Sequence, residues 1–352
     1  MRLSEVVGHK RLIALISRAI DRETLPPTLL FAGPAGVGKW AVAQAAAQAV
    51  NCLEPVRNHR EEAPSGTSAR TFVENRLPTD ACGKCRACNR IARGVHVDVI
   101  ALEPDERASI KIDVVRELLS RTGYRPFEGK RRAVLIREAD TLEPAAQNAL
   151  LKSLEEPPPG TMFILTTAIP GALLPTVRSR CMRLRFGRLT ASEVATALVR
   201  DHGQSEAEAR DSAALADGSI GQALGLSDID LTALRDLAVL LLQQTAGRAD
   251  TQARLNVAAT LWGPPKNERS RHDLAVVLRL ASSMLRDIEA INAGADRRVI
   301  ANPQLTTDLS TLARAFSGDR ARSAFGAVDR ALAALERNAG TKVVAEWLSV
   351  QI

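Results

Sequence analysis

Residues 33–40 read GPAGVGKW, and what flanks them narrows the possible folds sharply. TLLFAG (28–33) is a short apolar run ending in glycine, the pattern of a buried parallel strand, and AVAQAAAQAV (41–50) is strongly helix-forming. Strand, glycine loop and helix in that order are the context of a phosphate-binding loop. Gly33, Gly36 and Gly38 permit close backbone approach, so that successive N–H groups can cradle phosphate oxygens, and Lys39 supplies a point charge for the terminal phosphates. The bland alternative is a glycine-rich turn with no phosphate role; the spacing together with Lys39 argues against it. The pattern fails only at its last position. Trp40 stands where a Ser or Thr hydroxyl would coordinate Mg²⁺, and an indole has no oxygen to offer.

A second departure lies where such a site holds its metal. AVLIREAD (133–140) is an apolar strand with a charged end, the form of a Walker B segment. Arg137 occupies the position of the metal-binding Asp, followed by Glu138. A guanidinium cannot ligate a cation and repels one. Taken alone the segment also reads as an ordinary strand with a solvated end; beside Trp40, loss of the metal site is the better reading.

PAAQNALLKSLEEPPPGTMFILTT (144–167) places Pro144 at a first helical position, ends its helix at Glu156 before three prolines, and resumes as a buried strand. After a loop comes TVRSRC (176–181). Here the chain resembles the bacterial clamp-loader subunits of the AAA+ class, through LLFAGPAGVGK, NALLKSLEEPP, FILTT, SRC and, near the C-terminus, TKVVAEWLSV. NALLKSLEEPP followed by SRC is the specific part, and the resemblance spans nearly the whole chain. It implies three further expectations. The helix opening at DGSIGQAL (217–224) carries Gly221 where the family's sensor 2 arginine reaches the nucleotide. The sensor 1 position falls on Thr167 or Ala168. Arg180 is implied to be an arginine finger acting on ATP held by a neighbouring subunit, against the plain alternative of a surface arginine in a run with Arg178, Arg183 and Arg185. Ser179 and Cys181 are expected to shape the turn.

With a hydroxyl, a carboxylate and an arginine all missing from one site, the resemblance points to a non-hydrolysing member, with ATP or ADP binding weak or absent. It implies partners in the tau/gamma and delta subunits, the sliding clamp (beta) and primer-template DNA held through phosphates, within a hetero-oligomer. The competing readings are an active tau/gamma-like ATPase, kept open by Glu138 and Lys39, and an unrelated zinc-dependent nucleic-acid-binding module.

Cys82, Cys85 and Cys88 are spaced C-x₂-C-x₂-C, and Cys52 follows the loop's helix. Such spacing suits four thiolates around a structural Zn²⁺ with no open position. Disulfides compete, but no secretory segment suggests an oxidising compartment, and a cytoplasmic location is expected. Residues 53–81 read as a polar loop, within which His59 is a substitute ligand candidate.

Composition bounds the rest. A formal charge of +7 permits nucleic-acid contact, while 3% aromatics argue against base-stacking platforms. No apolar run approaches the ~20 residues of a membrane span. The expected organisation is α/β, a parallel-sheet AAA+ domain at 1–186 with a zinc module at 52–88, then a helical lid at 187–226 and an all-helical region at 227–352, which the resemblance implies is an oligomerisation collar. In the last region DLAVVLRLASSMLRDIEAI (273–291) sets Leu274, Val277, Leu278, Ala281, Leu285 and Ile288 on one helical face.

Overall fold

The computed structural model describes residues 1–58, 77–105, 109–226, 231–247, 251–263, 270–296, 300–302, 305–337 and 339–352. Two compact units emerge, Met1–Gln222 and Ala223–Ile352.

The first unit is built on strands β1 (Thr28–Ala32), β4 (Val99–Leu102), β5 (Arg132–Ile136), β6 (Thr161–Thr167) and β7 (Met182–Arg185), while β2 (Val56–Arg57) and β3 (Thr79–Asp80) form a separate antiparallel pair. The five strands pair in the order β4-β5-β6-β1-β7, all parallel. β1, β5 and β6 are buried at every residue, because helices cover both faces. Alternate side chains therefore feed two cores. Leu29, Phe31, Ala133, Leu135, Met162 and Ile164 join one; Leu30, Val134, Ile136, Phe163 and Leu165 join the other.

Helices α1 (Lys10–Asp21), α2 (Lys39–Asn51) and α3 (Arg86–Ala92) precede β4, and α4 (Ile112–Thr122), α5 (Pro144–Glu155) and α6 (Pro175–Arg180) alternate with the later strands. Ala43, Ala45, Ala46 and Ala47 of α2 are fully buried in the first core, where small side chains let the helix lie close to the sheet. Val115 and Leu118 of α4 and Leu150 and Leu154 of α5 fill the second. Pro144 is the first helical residue of α5, as expected, and the helix ends at Glu155. Helices α7 (Ala191–His202), α8 (Glu206–Leu215) and α9 (Ile220–Leu224) complete this part of the chain.

Helices α10 (Leu231–Ala246), α11 (Thr251–Trp262), α12 (Arg271–Asn292), α13 (Thr306–Ala313), α14 (Asp319–Glu336) and α15 (Thr341–Gln351) build the second unit. The six residues expected on one face of α12 are all buried. The fold class is the one the sequence predicts, a parallel α/β sheet domain with a helical C-terminal region. Among the described residues no helix is long and apolar enough to cross a membrane. Of the expected polar loop at 53–81, residues 56–58 and 77–80 are paired through β2 and β3, and residues 59–76, with His59, lie outside the described residues.

One buried ion pair fixes the entry to β5. Asp98, fully buried, accepts the amides of Phe127, Glu128 and Gly129 at 2.9, 2.8 and 2.8 Å and the Arg132 guanidinium at 3.1 Å. Burial opposes its charge, but these donors together hold its pKa below the usual carboxylate value. A carboxylate depressed on folding contributes stability above its unfolded pKa, and that contribution is lost as pH falls through the folded value. Asp98→Ala should therefore destabilise the chain by roughly 3 kcal/mol or more at neutral pH, since it leaves Arg132 buried without a counter-charge. Chemical denaturation at neutral and at acidic pH should show the gap from wild type narrowing on acidification.

Candidate functional site

The loop after β1 has the backbone of a phosphate cradle. Gly36 and Gly38 take φ of 71° and 96°, values that L side chains rarely adopt. Lys39 opens α2, yet its ammonium is turned back on the loop, donating to the carbonyls of Gly33 at 2.7 Å and Pro34 at 2.5 Å. Burial lowers its pKa, partly offset by the charges of Asp140 and Glu138. Two of its three N–H donors are thus engaged within the loop.

The two substituted metal positions, far apart in sequence, meet in space. The Arg137 guanidinium lies over the Trp40 ring, 5.8 Å from its centroid. Arg137 also donates to Glu103 at 3.0 Å and approaches Glu138 at 3.5 Å. The place where a hydroxyl and a carboxylate would share a divalent cation thus holds an aromatic ring and an organic cation. Arg137 lies just beyond the end of β5, its amide still bonded to Leu102 in the parallel ladder, and Glu138 follows in left-handed backbone at φ 49°. At the sensor 1 positions, Thr167 is fully buried and its hydroxyl accepts the Ile169 amide, while the Ala168 amide donates to Asp140 at 3.1 Å.

Gly221 sits directly on the phosphate loop. Its amide donates to the Gly36 carbonyl at 3.2 Å, and a Cβ at Gly221 would lie 3.2 Å from Gly36 Cα. On the other side, a Cβ at Gly36 would meet Ser219 Oγ at 2.2 Å. Glycine at both positions is what allows this approach.

Arg180 ends α6 at the opposite edge of the sheet. Its carbonyl accepts the hydroxyl of Thr28, the first residue of β1, at 2.8 Å, whereas the phosphate loop follows the last residue of the same strand. Five residues of parallel strand, roughly 16 Å, separate the two ends. The guanidinium is partly exposed and donates twice to Glu155 Oε2, at 3.0 and 2.8 Å. Cys181 behind it is buried, which raises its thiol pKa to about 11.

The four cysteine sulfurs converge. Cys52, Cys82, Cys85 and Cys88 place their Sγ atoms within 4.8 Å of one another, with 3.6 Å for Cys52–Cys88 and 3.9 Å for Cys52–Cys85 and Cys82–Cys88. A tetrahedral Zn²⁺ with bonds of ~2.3 Å has sulfur–sulfur edges of ~3.8 Å, so the donor set and its spacing fit. The amides of Cys82, Cys85 and Cys88 point at the sulfurs of Cys52, Cys82 and Cys85. Burial raises the Cys85 thiol, but the amides of Cys88 and Leu53 outweigh it and bring its pKa to about 6. All five cysteines are free thiols in this structure.

A family profile described as DNA polymerase III, delta subunit, matches residues 65–190. The chain is 37% identical over 171 residues to the DNA polymerase III subunit delta' of Pseudomonas aeruginosa, covering 48% of this chain and 46% of the relative. It is 30% identical over 265 residues to the subunit tau/gamma of Haemophilus influenzae, covering 74% of this chain and 33% of that protein. The chain belongs to the clamp-loader family. It spans about a third to a half of the length of these two relatives. Among solved structures, a DNA polymerase III gamma subunit-related protein of Thermotoga maritima aligns over 96% of this chain and 97% of its own, at 14% identity and a TM-score of 0.41.

Within this clamp-loader chain, the structure brings together Gly36, Lys39, Trp40, Arg137 and Gly221 and sets Arg180 apart from them. Sequence reading missed Asp140, whose carboxylate acts on Lys39; lying beyond the expected metal ligands, it matched no motif position. It also missed the contact between Trp40 and Arg137, which no spacing rule announces. For the cysteine cluster, elemental analysis of the purified chain should find one equivalent of zinc. Cys88→Ser should lose it and lower the melting temperature, whereas Cys181→Ser should keep it.

Proposed function

We propose that this chain is a delta'-type clamp-loader subunit that does not hydrolyse ATP and that supplies Arg180 to the nucleotide of a neighbouring subunit. The observation that carries the reading is the position of Arg180 at the N-terminal end of β1, while its own phosphate loop opens at the other end. A finger on that edge can serve only a site outside its own chain. Leaving Glu155 costs little, because exposed ion pairs are typically worth about 0–1 kcal/mol. In the neighbour's site the guanidinium would neutralise charge developing on the transferred phosphoryl group, a contribution of ~10³–10⁵ in rate.

Its own site lacks a place for the metal. The contact between Trp40 and Arg137 fills it, and Lys39 is bonded to the loop's own carbonyls. The remaining assignments follow from the family: a lid at 187–226, a collar at 227–352, and Cys52, Cys82, Cys85 and Cys88 as a structural zinc site pinning the excursion between α2 and α3. Partners are the tau/gamma and delta subunits, the sliding clamp, and primer-template DNA contacted through phosphates.

The test is DNA- and clamp-stimulated ATP turnover by a complex reconstituted with tau/gamma and delta subunits. Arg180→Ala should assemble normally and remove the share of turnover contributed by the site it completes; unchanged turnover would reduce SRC to a structural turn. The isolated chain should show no turnover, and an active isolated chain would favour the tau/gamma-like reading. Trp40→Thr with Arg137→Asp should also stay inactive, because Gly221 still seats on Gly36 with no sensor side chain. Magnesium-dependent turnover by that double variant would refute the last point.

A further inference from the structure

Tyr124 and Phe127 are exposed at 77% and 83%, more than any other large hydrophobic side chain among the described residues, and Tyr124 is the only tyrosine in the chain. Both lie in the loop between α4 and β5, on the sheet edge away from the phosphate loop. The preceding loop, before β4, adds exposed Val95 and Val97.

The loop is not slack. Asp98 binds the amides of Phe127, Glu128 and Gly129, and Arg132 donates to the carbonyls of Arg121, Tyr124 and Arg125 at 2.8, 2.6 and 3.2 Å. Arg90 ties down Glu128 at 2.7 Å. The backbone on both sides of Pro126 is therefore held by a buried ion pair while two aromatic rings face outward. Rigid aromatic groups bind at low entropic cost, since little freedom remains to be lost.

Charge selects the occupant. Arg93, Arg125 and Lys130 are exposed and make no ion pair among the described residues, and the acid of the loop, Glu128, is already matched by Arg90. Two planar rings beside uncompensated cations suit a chain of phosphates with unstacked bases. An apolar or a basic protein surface would leave those cations unpaired.

We propose that the loop Gly123–Lys130 is a stacking site for single-stranded nucleic acid, with Tyr124 and Phe127 receiving bases and Arg93, Arg125 and Lys130 meeting phosphates. The low aromatic content of the chain limits the site to one or two bases. It is independent of the role assigned to Arg180.

The probe is a fluorescein-labelled oligothymidylate, titrated with the full-length chain at low salt and followed by anisotropy, with a blunt duplex of equal length as comparison. The wild type should prefer the single strand. Tyr124→Ala with Phe127→Ala should weaken binding by about 10-fold or more at an unchanged salt slope. Arg125→Glu with Lys130→Glu should flatten the salt slope, and Phe127→Tyr should retain affinity. Circular dichroism and melting would check that each variant is folded. Equal affinity for duplex and single strand, wild-type affinity in the double alanine variant, or no measurable binding would overturn the proposal. So would alanine variants that bind the oligonucleotide normally but fail to assemble with tau/gamma and delta subunits, which would assign the loop to a protein partner.

Discussion

The hydrogen-bond ladder that seats β1 between β6 and β7 governs the rest of the molecule. Parallel pairing aligns all the strand ends, so chemistry leaving β1 at its C-terminus and chemistry arriving beside its N-terminus face opposite ways. The phosphate loop and Arg180 occupy those two ends. A donor on one edge and a receptor on the other are the minimum that a row of similar subunits needs in order to complete one another's sites. Under the proposed function, this chain keeps the donor edge in working form and lets the receptor edge lapse.

The lapse is more than a set of missing groups. Trp40 is half-buried against the core below the sheet's edge, and Arg137 reaches across to its ring. Lys39 is satisfied within the loop, and Gly221 closes over Gly36. Each of these contacts stabilises the loop without a ligand, so the site has the packing of a structural joint. This explains how the loop can keep Gly36, Gly38 and Lys39 although the metal ligands are gone. The glycines are required by backbone conformation and by the close approach of Gly221, independently of phosphate.

Much of this was legible in the sequence, for identifiable reasons. TLLFA, AVLI and MFILTT announce themselves as strands because a parallel sheet covered on both faces demands unbroken apolar runs. VIAL at 99–102 escapes the same reading, being four residues long and only partly buried at the sheet's edge. The cysteine quartet was readable from the local triplet, with Cys52 recruited from thirty residues away. What spacing cannot reveal is which residues the topology makes neighbours. Asp98 with Arg132, Trp40 with Arg137 and Gly36 with Gly221 are each paired across long separations by folding alone.

The convergence of Cys52 with Cys82, next to the pairing of β2 with β3, has a consequence for the length of chain it encloses. With both ends of the excursion anchored at one point, the chain between them is a closed loop, and each doubling of such a loop's length costs only about 0.6 kcal/mol in closure entropy. Lengthening the chain between the two anchors therefore costs the fold little in closure entropy, because the anchors hold the ends whatever the length between them.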